Sequence, residues 1–348
     1  MITTYDFIDD NRRKTILLVC LFPISLIAML YFSFFIIAFI YSSFFYSSVV
    51  APINYSSSAV NANLPLIEIF KDLHNSYYPL IIIIFLFSII WTIISFYSGQ
   101  KFIMSFANAR PADTIQDKEI IRLVENIAIT AGLPMPQVHI MYDNSLHAFA
   151  TGRDPNNAHI VLTTGIIDKL EKSELEGVIA HEMAHINNRD TRLMMILILL
   201  IGFFTFVGSF IIRLGFGSSN RRSSRNSKGS GGALILIVIG IVLYVYGIIV
   251  APLIRLAISR RREYQADAKA ALITRNPQGL ISALRKISGH SAIRSFQGKE
   301  IMSPMCIGNP LTNESSLFGF LSDITSTHPP IEKRIAALEV MDGIKVNY

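Results

Sequence analysis

Four stretches of the chain carry no charged residue and are apolar almost throughout: Ile16 to Tyr46, Pro79 to Tyr97, Leu193 to Ile212 and Ala233 to Ile254. At about 1.5 Å of rise per residue, runs of this length match a hydrocarbon core about 30 Å thick. The first run is too long for the apolar core of a cleavable signal and has no clear small-residue cleavage site behind it, so it is expected to stay as an anchor. Residues 1 to 15 are polar and end in Arg12, Arg13 and Lys14, while residues 47 to 78 are rich in Ser, Asn and Pro and read as a loop. Lys101 and Arg110 follow the second run. Cations therefore bracket a loop poor in Lys and Arg, which sets both the N-terminus and everything after residue 100 on the cytoplasmic side.

Between the second and third runs the pattern changes to that of a soluble domain. Asp117 to Ala131 predicts an amphipathic helix with Ile120, Ile121, Val124, Ile127 and Ala128 inward, stopped by Gly132 and Pro134. Gln137 to Met141, Leu146 to Thr151 and His159 to Thr164 predict three short strands, the last two joined across a Gly, Asp, Pro and Asn turn. If the 146 to 151 strand is an edge, it offers backbone groups to which an extended peptide can add; a covered edge serving only the fold is the competing reading. Further helices are expected over Ser259 to Ile273, near Leu280 to Ile287, and from the Thr327-His328-Pro329-Pro330 segment to about Val340, where prolines suit a first turn. The third and fourth runs conflict with the charge rule, because the segment between them holds Arg213, Arg221, Arg222, Arg225 and Lys228. Either the pair spans as a hairpin against that bias or it dips into the membrane; spanning is the preferred expectation.

Composition agrees with the pattern. The 348 residues are 51% hydrophobic with a mean hydropathy of +0.44, and only 16% are charged, against about 25% in an ordinary soluble domain. The formal charge of +6 does not point to nucleic acid, because the basic residues flank apolar runs and are not interleaved with aromatics on a soluble segment. Cys20 and Cys306 lie far apart in unlike surroundings, so no disulfide is expected. The expected organisation is residues 1 to 100 as a membrane region with spans at 16 to 46 and 79 to 97, residues 101 to 192 and 255 to 348 as two parts of one soluble domain, and residues 193 to 254 as an apolar hairpin.

The chemistry sits at Ser173 to Ile186. Ser173 followed by Glu176 predicts a capping box opening a helix. On that helix His181 and His185, four apart, stand one turn above each other, with Glu182 beside them. In an H-E-x-x-H arrangement the two imidazoles hold one zinc ion and the glutamate takes a proton from the activated water. The competing reading is three surface residues, which the cap and the apolar face of Leu175, Val178, Ile179 and Met183 disfavour. A zinc held by two histidines needs a third protein ligand. Glu263 and Asp267 share one helix face, and two such carboxylates are usually a solvated face, paired here with nearby arginines. In the absence of a nearby third histidine or suitable cysteine, Glu263 fits as ligand and Asp267 as acceptor for a ligand histidine.

With these residues in view the chain resembles the HtpX family of bacterial membrane zinc metallopeptidases. The likeness rests on the N-terminal apolar pair, A-R-P at 109 to 111, G-L-P-M-P at 132 to 136, A-F-A-T-G at 148 to 152, H-E-M-A-H at 181 to 185, the second apolar pair, R-R-E-Y-Q-A-D at 261 to 267 and the late H-P-P. It implies an α+β membrane protein with a mostly helical zincin-like domain, a small sheet and about four transmembrane helices. It further implies one zinc ion on His181, His185 and Glu263, Glu182 as catalytic base, Asp267 behind the ligands, Ala148, Phe149, Ala150, Thr151 and Gly152 as the strand meeting substrate, and His328 as a catalytic group that holds substrate or polarises the scissile carbonyl. The implied activity is endoproteolysis of damaged or misassembled membrane proteins and unfolded polypeptides at the bacterial inner membrane, on its cytoplasmic side. One departure is N-S-L-H at 144 to 147, where an asparagine is expected in place of His147. Two rivals remain: a relative of the CAAX prenyl proteases, which carry more spans, and a non-proteolytic membrane scaffold with a structural zinc.

Overall fold

The structure, a computed structural model, describes residues 4–45, 63–220, 230–257, 261–288 and 329–343. It is mostly helical with one small mixed sheet, and its residues group into two compact units. One comprises Met1–Leu17, Ile94–Leu199 and Ala251–Tyr348; the other comprises Leu18–Ile93 and Leu200–Val250.

The second unit is built from segments of four helices: α1 (Thr4–Phe45), α2 (Asn63–Ala107), α6 (Asp190–Asn220) and α7 (Ser230–Ala257). Three segments are long and apolar enough to cross a membrane, Ile8–Ile40, Ile81–Ala107 and Asp190–Gly217, and Ala233–Gly247 is a shorter apolar stretch among the described residues. Inside this unit Phe22 meets Phe203 and Phe204 edge to face at 5.3 and 5.2 Å, and Phe204 meets Tyr246 at 4.7 Å. The α6 and α7 backbones touch where glycines face each other. A Cβ on Gly208 would lie 2.6 Å from the Tyr244 nitrogen, and one on Gly240 would lie 2.9 Å from the Gly208 oxygen, so only small residues allow that approach.

Two expectations about these helices need correction. Residues 4 to 15, polar as expected, are the first turns of α1, and the described part of the expected 47 to 78 loop, from Asn63 onward, belongs to α2. Leu66, Ile69, Phe70 and Leu73 already recur at helical spacing there. Pro79, expected to open the span, lies inside α2 as Pro23 lies inside α1. A proline inside a helix gives up one backbone hydrogen bond, a local loss that a long apolar helix can absorb.

The first unit holds the sheet. Its strands are β1 (Arg110–Pro111), β2 (Gln137–Met141), β3 (Ala148–Gly152) and β4 (Ala158–Thr163), in the order β1-β2-β4-β3. The β2–β4 pair is parallel, and β1–β2 and β3–β4 are antiparallel. The three expected strands form within two residues of their predicted ends; the two-residue β1 was not foreseen. Val138, Ala148, Ala150, Ile160 and Leu162 share a core with α3 (Lys118–Ala131), through Leu123, Val124, Ile127 and Ala128, and with α5 (Lys172–Asn188), through Leu175, Val178, Ile179 and Met183. Ile120 and Ile121, expected inside α3, are only half-buried. The short α4 (Thr164–Lys169) leads from β4 toward α5; α8 (Arg261–Thr274) and α9 (Pro277–Ser288) pack on α5, and α10 (Ile331–Met341) packs on α8 and α9. At Gly177 the contact is backbone to backbone, a Cβ there lying 2.8 Å from the Leu280 nitrogen.

The start of α5 is also corrected. Its N-cap is Glu171, and the capping box pairs Glu171 with Glu174, leaving Ser173 inside the first turn. The reason lies in tertiary contacts: the Glu174 carboxylate accepts the Glu171 N–H at 2.8 Å and meets Lys286 Nζ of α9 at 2.7 Å. Glu174, 3% exposed, thereby fixes the helix start two residues earlier than the local Ser-Glu spacing predicts.

Candidate metal centre

Helix α5 is almost wholly buried, which is unusual for a segment reading H-E-M-A-H, and its polar residues must find partners inside the protein. His181 and His185 lie one turn apart with their Nε2 atoms 3.2 Å from each other. Helix α8 brings Glu263 to the same point: its Oε2 is 3.8 Å from His181 Nε2 and its Oε1 3.5 Å from His185 Nε2. One ligand atom from each of the three lies within 4.8 Å of the others. The α8 carboxylates are therefore not a solvated face: Glu263 is 7% and Asp267 2% exposed.

Each histidine is held from behind by its own carboxylate. Asp267 Oδ1 stands 2.9 Å from His181 Nδ1, and Asp190 Oδ2 stands 2.9 Å from His185 Nδ1. Both Nδ1 atoms then carry the proton, and both Nε2 atoms present lone pairs to the space they share with Glu263. Two lone pairs and a carboxylate facing one point repel unless a cation lies among them. Charge balance agrees, because four buried carboxylates, Glu182, Asp190, Glu263 and Asp267, stand against two buried guanidinium groups, Arg262 and Arg334. Those charges favour a cation among the donors, and the mixed imidazole and carboxylate set suits zinc.

Arg334 supplies one of those guanidinium groups. It comes from α10, is fully buried, and grips Asp267 in a two-pronged contact, Nε to Oδ2 at 2.8 Å and Nη2 to Oδ1 at 2.7 Å, with Nη1 3.6 Å from Glu263 Oε2. Burial alone would push the Asp267 carboxyl up, but Arg334 and His181 hold it down at about 2. Burial opposes a charged His185 ring too, yet Asp190, Glu263 and Glu182 raise it to about 9, a measure of how strongly this pocket favours positive charge.

Glu182, next to His181 on α5, is 3% exposed. Burial pushes its carboxyl up to about 7, opposed by His185 and by a backbone hydrogen bond from Ala150 and reinforced by Glu263. A carboxyl balanced near neutrality can accept and return a proton at cellular pH. The Ala150 contact also fixes the sheet edge. Thr163 donates its N–H to the His147 carbonyl at 3.1 Å, so in the antiparallel register His147, Phe149 and Thr151 direct their backbone groups at β4. Ala148, Ala150 and Gly152 direct theirs outward. Of these, the Ala150 N–H reaches Glu182 and the Gly152 carbonyl accepts Thr191 Oγ1 at 3.2 Å. The outer edge of β3 thus runs beside the metal centre and is closed at its Gly152 end.

Of the residues expected at the site, His181, Glu182, His185, Glu263, Asp267 and the β3 strand come together; His328 and Cys306 lie outside the described residues. Sequence reasoning missed Arg334 and Asp190. A hint for Asp190 existed in the geometry of the chain, not its pattern: Arg189 adopts a left-handed conformation, φ 60°, and that reversal turns the first residue of α6 back toward His185.

Comparison with known proteins fixes the family. The model of Peptidase family M48 matches residues 114–342. The chain is 42% identical over 251 residues to a "Protease HtpX homolog" of Bacteroides fragilis, covering 72% of this chain and 77% of that one. A "Protease HtpX homolog" of Caldanaerobacter subterraneus is 33% identical over 340 residues, 97% of each chain. The chain belongs to peptidase family M48. A crystal structure of S. mikatae Ste24p superposes over 85% of this M48 chain and 64% of its own, with a TM-score of 0.43 and 19% identity. With its apolar spans, this M48 member is a membrane-bound metallopeptidase.

Proposed function

We propose that this M48 peptidase is a zinc-dependent endopeptidase of the bacterial inner membrane, with its N-terminus and catalytic unit in the cytoplasm, that cuts damaged or misassembled membrane proteins and unfolded polypeptides. The observation that carries the reading is the convergence of two α5 imidazoles and the α8 carboxylate, with Glu182 beside them. His181, His185 and Glu263 hold one zinc ion, which when bound supplies Lewis acidity toward a water and the scissile carbonyl. Asp267 and Asp190 keep the two rings in the tautomer that binding requires. Glu182 removes one proton from the attacking water as its oxygen bonds to the carbonyl carbon. It then returns that proton to the departing amide nitrogen as the C–N bond breaks.

Substrate lies along the outer edge of β3 as an added strand, hydrogen-bonded to the outward groups of Ala148 and to the Ala150 carbonyl, the Ala150 N–H being taken by Glu182, and limited by Thr191 at Gly152. Phe149 and Thr151, pairing with β4, keep that strand in register. His328 is assigned to polarising the carbonyl or holding the substrate backbone. The cytoplasmic side is supported by Arg12, Arg13 and Lys14 in the first turns of the first span and by Lys101 and Arg110 at the end of the second. The deciding experiment is Glu182→Gln in the full chain: zinc binds as in the wild type while cleavage of an unfolded membrane-protein substrate is abolished. A zinc-replete Gln variant that still cleaves overturns the mechanism.

A further inference from the structure

A single buried asparagine at the start of the first membrane helix is wired to the ligand His185. Asn11 is 1% exposed and sits on α1, 170 residues before His181 in the chain yet within the same compact unit as α5 and α8. Its amide nitrogen donates to the Asn188 carbonyl at 2.9 Å and to Asp190 Oδ1 at 2.7 Å, and its amide oxygen accepts from Arg262 Nη1 at 2.7 Å. These partners fix the amide's orientation, since two are acceptors only and the third is a donor only. Arg262 Nη1 also donates to Asp190 Oδ1 at 3.1 Å.

Asp190 is thus held at both ends. One carboxylate oxygen takes Asn11 and Arg262; the other takes His185 Nδ1 at 2.9 Å. Carboxylates behind ligand histidines set ring orientation and basicity, so whatever holds the carboxylate acts on the metal at one remove. Two functions for Asn11 are open on general grounds. One is to anchor α1 alone, in which case its loss acts on stability independently of Asp190. Its contacts argue otherwise, because both bonds that leave its own helix toward side chains end on the group holding His185 or on that group's other partner.

We infer that Asn11 is a positioning residue for the metal centre: it fixes the Asp190 carboxylate, and through it the His185 ring, so that zinc affinity depends on the N-terminal membrane helix. The inference rests on the proposed ligand set of His181, His185 and Glu263. It concerns a residue outside the 114–342 segment that carries the family match.

The test is a set of zinc dissociation constants, measured on the full-length chain in detergent by competition with a chromophoric chelator. Asp190→Asn is expected to weaken zinc binding about 10- to 100-fold, the range for groups behind a ligand. Asn11→Leu, which keeps side-chain volume and removes all three hydrogen bonds, is expected to weaken it about tenfold. Asn11→Asp keeps both the shape and the Arg262 contact but sets a carboxylate against Asp190, and is expected to weaken binding as well; it serves if the Leu variant does not fold. The double variant Asn11→Leu with Asp190→Asn is expected to bind no more weakly than Asp190→Asn alone, since Asn11 acts only through Asp190. Wild-type affinity in the Asn11 variants overturns the inference, as do losses that multiply in the double variant. His185→Ala separates the two levels: if it too binds zinc like the wild type, the ligand assignment falls and the inference falls with it.

Discussion

Arg334 offers the sharpest test of how the metal centre is supported. It is fully buried, its two-pronged grip on Asp267 uses two charge-assisted hydrogen bonds at 2.8 and 2.7 Å, and its third nitrogen lies 3.6 Å from Glu263. Arg334→Met keeps much of the side-chain volume but strands the Asp267 carboxylate in a site only 2% exposed. Breaking a buried pair by removing one partner costs about 3–5 kcal/mol, consistent with the loss of two hydrogen bonds to charged groups at about 1.5–3 kcal/mol each. For a unit of this size that is a drop in melting temperature of roughly 6–20 °C. The assay is thermal unfolding of the full chain in detergent with excess chelator, so that metal binding does not mask the effect. Arg334→Lys should fall between the two, because an ammonium keeps the charge and loses the fork. Asp267→Asn combined with Arg334→Met should recover part of the loss by removing the stranded charge. A Met variant that melts within about 2 °C of the wild type, less than 1 kcal/mol, would refute the claim that this pair supports the site.

Three further predictions follow from other parts of the molecule. Glu263→Ala should lower bound zinc well below one per chain while the protein remains folded; unchanged metal content, measured by atomic absorption after gel filtration, moves the third-ligand role to another side chain. His139 and His159 lie 3.0 Å apart between β2 and β4, where burial lowers both and takes His159 down to about 4 from 6.5. Both rings are therefore neutral in the folded state, and as pH falls from 6.5 toward 4 the unfolded chain gains protons first, so stability declines over that window by about 2 kcal/mol after allowance for partial exposure. His159→Gln should flatten the fall in melting temperature between pH 7 and 4.5, and an unchanged slope would show that this pair does not titrate as described. Gly208→Ala should cost about 1–3 kcal/mol by forcing α6 and α7 apart, seen as a lower melting temperature; a variant as stable as the wild type means the helices do not meet there.

Much of the site was legible because helical spacing is a geometric statement. The four-residue separation of His181 and His185 puts both rings over one point whatever the tertiary fold, and the demand of that pair for a third donor singled out Glu263 across the apolar α6–α7 pair. The three strands were legible because each is a short β-branched or apolar run bounded by turn residues. Positions set by tertiary contacts were not legible. Ser173 and Glu176 satisfy the capping pattern, but Glu174 starts the helix because its carboxylate also meets Lys286 on α9. Asp190 reads as an ordinary acidic residue at a helix start, and only the left-handed Arg189 turns it onto His185. Arg334 sits on α10 with helix spacing that says nothing of Asp267, 67 positions away.

These misses share a cause that bears on the chemistry. Apart from Asp267, which stands behind His181, every residue foreseen at the site is one that a metal or a substrate would touch, and every residue missed, Asp190, Arg262, Arg334 and Asn11, touches a carboxylate or an asparagine and no substrate. The first kind is dictated by reaction chemistry and appears as a local pattern. The second is dictated by the cost of burying charge: with four carboxylates gathered in a nearly dry space, each needs a cation or a donor of its own, and the chain recruits them from wherever a helix end passes. Two of those helix ends belong to candidate spans, Asn11 in Ile8–Ile40 and Asp190 at the start of Asp190–Gly217. A catalytic fragment cut at the edges of the soluble sequence would therefore retain every motif residue and lose Asn11. Such a fragment should need more zinc than the full chain to reach half-occupancy, and one that binds zinc as tightly as the full chain would show that the membrane helix contributes nothing to the centre.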